Sequence, residues 1–233
     1  MRIHDNIDQN SEEWQMLRKG KPTASEFSKI FTGGGKVSKS RDAYMRHCAV
    51  RIKYDIADSF NGNQWTDRGH ELEPVAREIF RTQTEFDVRE VGFIQHDDCC
   101  AGMSPDSLIY SNGVPVAGQE IKCFNYDKHL GIIDKGVMPT DIKPQVHGSL
   151  WITDLPVWAF TIYNPDAEPF TFDTFEIEPD GYTEDLGGHV MEFCEELERR
   201  KYEFIEDYEK RRGGICTAAR LPALYAAVNN NQF

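Results

Sequence analysis

The pair Asn112 and Gly113 constrains this chain more than any other feature. Asn-Gly between two short apolar runs signals a tight hairpin, because both central residues of such a turn need the left-handed backbone region that Asn tolerates and Gly adopts freely. The pair stands inside residues 102–124, GMSPDSLIYSNGVPVAGQEIKCF. Before it, a short strand ends at Ser104, Pro105 and Asp106, and the returning strand covers 114–124. Alternation along the return sends Glu120 and Lys122 to one face and Ile121 to the other. The hairpin therefore brings Asp106 close to Glu120 and Lys122.

Two carboxylates and an ammonium on one small patch are costly to a fold. Like charges at short range raise each other's pKa, and burying them unpaired is unfavourable. A divalent cation resolves the conflict: magnesium takes a few carboxylate oxygens, keeps several waters and is commonly shared with a substrate phosphate. Lys122 is then left to orient the attacking water or to neutralise charge on a phosphodiester. The plain alternative is a solvated hairpin carrying a surface ion pair.

Size and charge narrow the field. At 233 residues the chain is most simply one α/β domain over 1–212 with a tail over 213–233. No apolar run approaches the roughly 18–20 residues that span a bilayer. The start, MRIHDNIDQNSEEW, lacks the apolar segment of a secretory leader, so a cytoplasmic protein with no membrane partner is expected. The six cysteines lack C-x-x-C spacing and Cys99 and Cys100 are adjacent, which fits reduced, mostly buried residues. A net charge of −13 argues against a general polyanion binder. The charge is uneven: residues 1–60 carry 11 Lys/Arg against 8 Asp/Glu, and residues 180–212 carry 6 against 11. Any nucleic-acid face should use the N-terminal half, with the acidic helix turned away.

Residues 11–20 read as a short helix with acids in its first turn, bases in its last and Gly20 as its stop. Thr23 and Glu26 fit a capping box that opens a helix over 25–31. That helix start, with Ser25 and nearby Arg18, is either an ordinary cap or a phosphate seat. Residues 32–40 form an irregular basic loop. A helix over 41–58 buries Tyr44, Cys48, Ile52 and Ile56, and its Arg46, Arg51 and Lys53 face DNA or water. Residues 66–80 form a helix with an apolar stripe of Leu72, Val75, Ala76 and Ile79, kinked or restarted at Pro74, with Glu73 beside the stripe. Such a carboxylate needs a partner: a metal or its water, unless Glu73 simply faces solvent. A strand over 87–96, helices over 125–135 and 140–152, strands over 157–163 and 170–177, and a long charged helix over 180–212 complete the pattern. The expectation is an α/β fold with a central sheet of about five strands flanked by helices. No G-x-G-x-x-G follows a strand, so a doubly wound nucleotide binder is not expected.

Taken in order over roughly residues 11–163, these segments resemble the phage lambda exonuclease and YqaJ-type viral recombinase nucleases of the PD-(D/E)xK superfamily. The resemblance rests on Trp14 and Arg18 followed by Thr23, Ala24, Ser25 and Glu26; on Gly69, Glu73, Ala76 and Arg77; on Ser104, Pro105 and Asp106; on Glu120, Ile121, Lys122 and Cys123; and on Pro144, Gln145, Val146 and Trp151. It implies a restriction-endonuclease-like mixed sheet. It also implies that Asp106, Glu120 and the carbonyl of Ile121 hold one magnesium, with manganese as a substitute, and that Glu73 helps with a second. By the same resemblance Lys122, assisted by Gln145, handles the water, and Arg18 and Ser25 bind the 5′-phosphate of a DNA end.

The implied activity is metal-dependent degradation of one strand of linear duplex DNA from its 5′ end, for recombination by single-strand annealing. The implied partners are double-stranded DNA ends, a homotrimer of this chain and a single-strand annealing protein, in the host cytoplasm if the chain is phage-encoded. A structure-selective or nicking endonuclease of the same superfamily, or a non-catalytic DNA-end binder, are the alternatives. Some helical nucleases carry an iron–sulfur cluster on four cysteines, three of them near the C-terminus. Only Cys216 stands there, so no cluster is expected. His147 stands where relatives often have a second glutamine, and Ser107 where they have glycine.

Overall fold

A mixed five-stranded sheet orders the molecule, with the Asn-Gly hairpin on two of its strands. The computed structural model describes residues 1–54 and 64–215, except for the side chains of 64–67, 70 and 212–215. In chain order the elements are β1 (Arg2–His4), α1 (Glu12–Arg18), a 3-10 helix (Ala24–Lys29), β2 (Phe31–Thr32), β3 (Lys36–Val37), α2 (Arg41–Lys53), α3 (Gln64–Thr84), β4 (Asp87–Arg89), β5 (Phe93–Gln95), β6 (Gly102–Met103), β7 (Ser107–Ser111), β8 (Val114–Lys122), α4 (Tyr126–Lys135), α5 (Lys143–Thr153), β9 (Trp158–Tyr163), β10 (Phe172–Ile177) and α6 (Gly181–Ile215). Residues 216–233, Cys216 among them, and residues 55–58 of the helix expected over 41–58 lie outside the described residues.

The main sheet runs β10-β9-β8-β7-β4. All its pairs are antiparallel except β8 with β9. The β7–β8 turn places Asn112 at φ 51° and Gly113 at φ 79°, as a left-handed two-residue turn requires. Parallel neighbours need a crossover, and α4 and α5 supply it. On one face Leu108, Trp158, Phe160 and Ile162 join a large buried cluster with α5, α6, α2 and the 3-10 helix. Burying such side chains contributes roughly 1.5–3 kcal/mol each. The other face packs Ile109, Ala117, Ile121, Ala159 and Tyr163 against Ala76 and Phe80 of α3. Gly118 is required on the first face, since a Cβ there would sit 2.1 Å from the Trp158 ring. A smaller sheet, β1-β5-β6, leads the chain into the hairpin. Among the described residues no helix is long and apolar enough to cross a membrane.

Several local expectations are corrected. The strand before the turn splits: β6 ends at Met103, and Asp106 stands between strands. The strand expected over 87–96 is β4 and β5, which belong to different sheets. Residues 24–29 form a 3-10 helix, and the capping box is absent because Tyr44 Oη takes the Thr23 N–H at 3.2 Å while the Glu26 carboxylate pairs with Lys29. Residues 32–40 include a small β2–β3 pair. The α3 helix runs through Pro74 without a break. Val75, about 100° round the helix from Ala76, is 44% exposed, and Ile52 on α2 is 41% exposed, so neither belongs to its expected stripe. The acidic helix is not turned away from the N-terminal bases: α6 packs on α2, and Arg46 and Lys53 face its Asp207 at 3.5 Å and Glu209 at 2.6 Å.

Candidate active site at the end of the central strands

The candidate residues converge where β7 begins and β8 ends, because both faces of the sheet deliver side chains there. Glu120 and Lys122 point to the α5 face, and α5 brings Gln145, whose Nε2 donates to Glu120 Oε1 at 2.6 Å. Lys122 Nζ donates to the same carboxylate oxygen. Asp106 closes the other side: the Ile121 N–H donates to its Oδ2 at 2.5 Å, which ties the loop before β7 to the last turn of pleat in β8. From the opposite face α3 carries Glu73, held by Arg77 Nη2 at 2.6 Å. Arg77 is itself buried and reaches Glu90 at 2.8 Å.

The electrostatics follow from burial. Glu120 is 2% exposed. Burial, then the charge of Asp106, pushes Glu73 up to about 7. Burial pushes Glu120 up to about 8 despite the opposing pull of Lys122, and Asp106 and Glu73 add to the rise. For Lys122 burial works downward, and Glu120, Asp106 and Glu73 outweigh it, so its ammonium is held above the usual range. Glu73 and Glu120 thus bind protons more tightly than water-exposed acids do, with Arg77 and Lys122 as the cations beside them.

Hard oxygen donors with surplus negative charge are the donor chemistry of magnesium or manganese, so the residue types fit such a cation. Among the described residues no three His, Cys, Asp or Glu side chains are already closed around one point. Protein donors hold these carboxylates instead: Lys122 and Gln145 on Glu120, Arg77 on Glu73, and the Ile121 N–H on Asp106.

Arg18 stands beside this cluster. Its guanidinium lies 4.2 Å above the Trp14 ring, the i,i+4 neighbour on α1, and its Nη1 donates to Ser104 Oγ at 3.2 Å. Ser104 also accepts from Trp14 Nε1 at 2.8 Å. Ser25 is exposed near the start of the six-residue 3-10 helix, and its hydroxyl lies 3.3 Å from that of Thr23. The helix start that carries Ser25 is thus a 3-10 turn, and Arg18 lies in a Trp-Arg-Ser arrangement two residues before Asp106. His147 points away from the carboxylates, with Nδ1 2.7 Å from Thr183 Oγ1 at the start of α6, and burial lowers its pKa.

Sequence reading missed three supports. Gln9 Nε2 donates to the Pro105 and Val91 carbonyls at 2.9 and 3.0 Å, clamping the residue before Asp106. Ser104 joins Trp14 to Arg18. Behind the site a polar chain crosses four strands: Ser107 Oγ donates to Gln119 Oε1 at 2.6 Å, Gln119 Nε2 donates to Thr161 Oγ1 at 2.9 Å, and Thr161 meets Thr174 at 3.1 Å. Ser107, Gln119 and Thr161 are fully buried, so the chain pins the register that sets Asp106 against Glu120. A Gln in the buried run of β8 was the available signal.

Comparison with known proteins places this arrangement. Residues 13–156, more than half of the chain, match the model of the YqaJ-like viral recombinase domain. No curated protein sequence matches the chain at a significant level. Among solved structures, the alkaline exonuclease LHK-Exo from Laribacter hongkongensis is 27% identical with a TM-score of 0.71, covering 89% of this chain and 100% of that one. Its complex with dAMP gives the same score and coverage at 28% identity. A phage-related exonuclease from Haemophilus somnus 129PT, at 15% identity, has a TM-score of 0.50 over 80% of this chain and 98% of its own, a likeness of fold alone. By the extent of its family match, supported by a restriction-endonuclease-like fold shared with these exonucleases, the chain belongs to the YqaJ-like viral recombinase family.

Proposed function

We propose that the chain is a divalent-cation-dependent deoxyribonuclease, an exonuclease that removes nucleotides from the 5′-phosphorylated end of one strand of linear duplex DNA. The observation that carries this reading is the cluster of Asp106, Glu120 and Glu73 against Lys122 where β7 begins and β8 ends, in which burial raises both Glu73 and Glu120. Asp106, Glu120, the Ile121 carbonyl and Glu73 would hold magnesium or manganese. When bound, the cation supplies Lewis-acid activation of water and neutralises charge on the leaving oxygen. Lys122 offers its ammonium to the scissile phosphate and orients the attacking water, while Gln145 keeps the Glu120 carboxylate aimed. Arg18, flattened on Trp14 and braced by Ser104, takes the terminal phosphate with Ser25 beside it, gripping without reading sequence.

The sequence reading adds a single nuclease domain over 1–212 and a cytoplasmic location to this proposal, and the family resemblance adds a homotrimer and a single-strand annealing partner. Solution mass with and without a short duplex tests the trimer. The activity is tested by digesting linear duplex labelled at either end, and closed circles, with magnesium or with EDTA. Nucleotides are expected from 5′-phosphorylated ends with magnesium only. Cleavage of circles would make the chain an endonuclease, and binding of ends without product would make it an end binder.

A further inference from the structure

One buried amide joins the two elements that bring Glu73 and Lys122 to the site. Asn164 follows the last residue of β9 and is 1% exposed. Its Nδ2 donates to the Phe124 carbonyl at 3.2 Å, two residues beyond Lys122. Its Oδ1 accepts from Arg68 Nη2 on α3 at 3.0 Å and from the Asp166 N–H at 3.0 Å. We propose that Asn164 is a positioning residue, which fixes α3 against the end of β8 and so sets Glu73 where it can share a divalent cation with Asp106 and Glu120. The identity of that site rests on the nuclease reading, while the role of Asn164 rests on these bonds.

The surroundings dictate which way the amide faces. Arg68 and the Asp166 N–H can only donate and the Phe124 carbonyl can only accept, so turning the amide over would set donor against donor and acceptor against acceptor. Register brings the group there. Lys122 stands opposite Ile162 in the parallel pair β8–β9, so Phe124 comes level with Asn164 two residues on, just past the end of both strands. The backbone of Asn164 is held as well: its N–H donates to the Thr171 carbonyl at 2.8 Å, and its carbonyl accepts from the Ala167 N–H at 3.1 Å.

Apolar packing of α3 on the sheet does a different job. Ala76, Ile121 and Tyr163 form one small buried cluster between helix and strands, with Leu72 and Ile79 against it. Apolar contact is non-directional, so it resists separation more than sliding. A hydrogen bond weakens steeply off its line, and Asn164 makes one toward each element. Arg68 stands five residues before Glu73, about 7.5 Å along an unbroken helix, so a slip at Arg68 carries Glu73 with it. The Arg68–Asp166 ion pair at 2.7 Å adds little, because Asp166 is 72% exposed and solvent screens it.

The test compares the full chain with Asn164→Ala, Arg68→Ala, the double variant and Asp166→Asn, whose backbone N–H still reaches Asn164. Without DNA, manganese binding is titrated by electron paramagnetic resonance, and amide exchange over 68–79 is followed by mass spectrometry. Asn164→Ala and Arg68→Ala should each weaken manganese binding about tenfold and quicken exchange in α3. The double variant should lose no more than the weaker-binding single one, and Asp166→Asn should behave as wild type. On 5′-phosphorylated duplex, Asn164→Ala should lower kcat about 10–100-fold and raise the half-saturating magnesium, with KM for DNA unchanged. An amide that only stabilises the fold would lower Tm and leave manganese affinity and half-saturating magnesium as they are, and that result overturns the proposal. A wild type that binds no manganese, or variants whose losses add in full, also overturn it. Should Asn164→Ala fail to fold, manganese binding by Arg68→Ala decides. If the wild type binds manganese but digests no DNA, the nuclease reading falls, and weaker binding by the variants still upholds the positioning role. If every variant digests DNA like the wild type, the positioning role falls and the nuclease reading stands.

Discussion

Two charged regions of this molecule obey opposite rules. Along the seam between α2 and α6, bases of α2 meet carboxylates of α6: Arg41 with Glu196 at 2.6 Å, Arg46 with Asp207 at 3.5 Å, Lys53 with Glu209 at 2.6 Å. The last two pairs are largely solvent-exposed, and solvent screens what they contribute. Where β7 begins and β8 ends, three carboxylates crowd around Lys122, with Arg77 on Glu73, and burial raises Glu73 and Glu120. The seam makes an acidic helix compatible with a basic one. The cluster works against the fold, and that cost marks it as the place reserved for a ligand of positive charge.

The sharpest way to break the contrast is to remove one charge from each region. Glu120→Gln keeps an acceptor for Lys122 and Gln145 but lowers the surplus. Nuclease activity is expected to fall by about 10²–10³-fold or more, while the cation-free protein becomes more stable at pH 8 by denaturant unfolding. Glu209→Gln on the seam should leave activity unchanged. Equal losses of activity in both variants would end the distinction.

The second effect is on stability against pH. Glu73 and Glu120 are raised from the ordinary carboxylate range to about 7 and about 8, so between pH ~4.5 and ~8 the folded state holds more protons than the unfolded one. Unfolding free energy should therefore fall as pH rises through that window, by a few kcal/mol in EDTA. Asp180 and Glu196 are lowered, so their contribution is lost only as pH falls below the usual carboxylate range. Magnesium should flatten the fall above pH 5 by replacing protons. A slope identical with magnesium and with EDTA, or one of opposite sign, would remove the cation from the account.

Why the cluster was legible in the sequence and the seam was not is a matter of range. Asn112 and Gly113 dictate a turn locally, which returns the chain beside Asp106, while the register that sets Asp106 against Glu120 also needs the irregularity between Ile109 and Tyr110. Partners for Arg46 and Lys53 stand about 160 residues away on α6, and only packing brings them together. The capping box failed for a similar reason: Tyr44, 21 residues on, competes for the Thr23 N–H. Residues 87–96 look like one strand because Val88, Phe93 and Ile94 are all apolar enough. The break comes at Gly92, where an added Cβ would lie 2.0 Å from the Ile7 carbonyl oxygen, a contact no local pattern announces. The Ser107–Gln119–Thr161 chain escaped because three polar letters on three strands become a network only once register is known.

The smallest effect separates the two regions as DNA-binding surfaces. Arg46 lies over Phe204 at 5.3 Å and faces Asp207, so Arg46→Gln should cost under about 1 kcal/mol. Its charge is already compensated by α6, and its loss should leave the dependence of duplex affinity on salt unchanged. Arg18 sits on an aromatic ring two residues' reach from Asp106, with its Nη1 donating to Ser104. If it meets a phosphate, Arg18→Ala should reduce the slope of log affinity against log salt by about one for 5′-phosphorylated duplex, and by less for a 5′-hydroxyl end. A slope change at Arg46 and none at Arg18 would move the DNA face onto α2, leaving the Trp14–Arg18–Ser104 arrangement as a brace for the loop that carries Asp106.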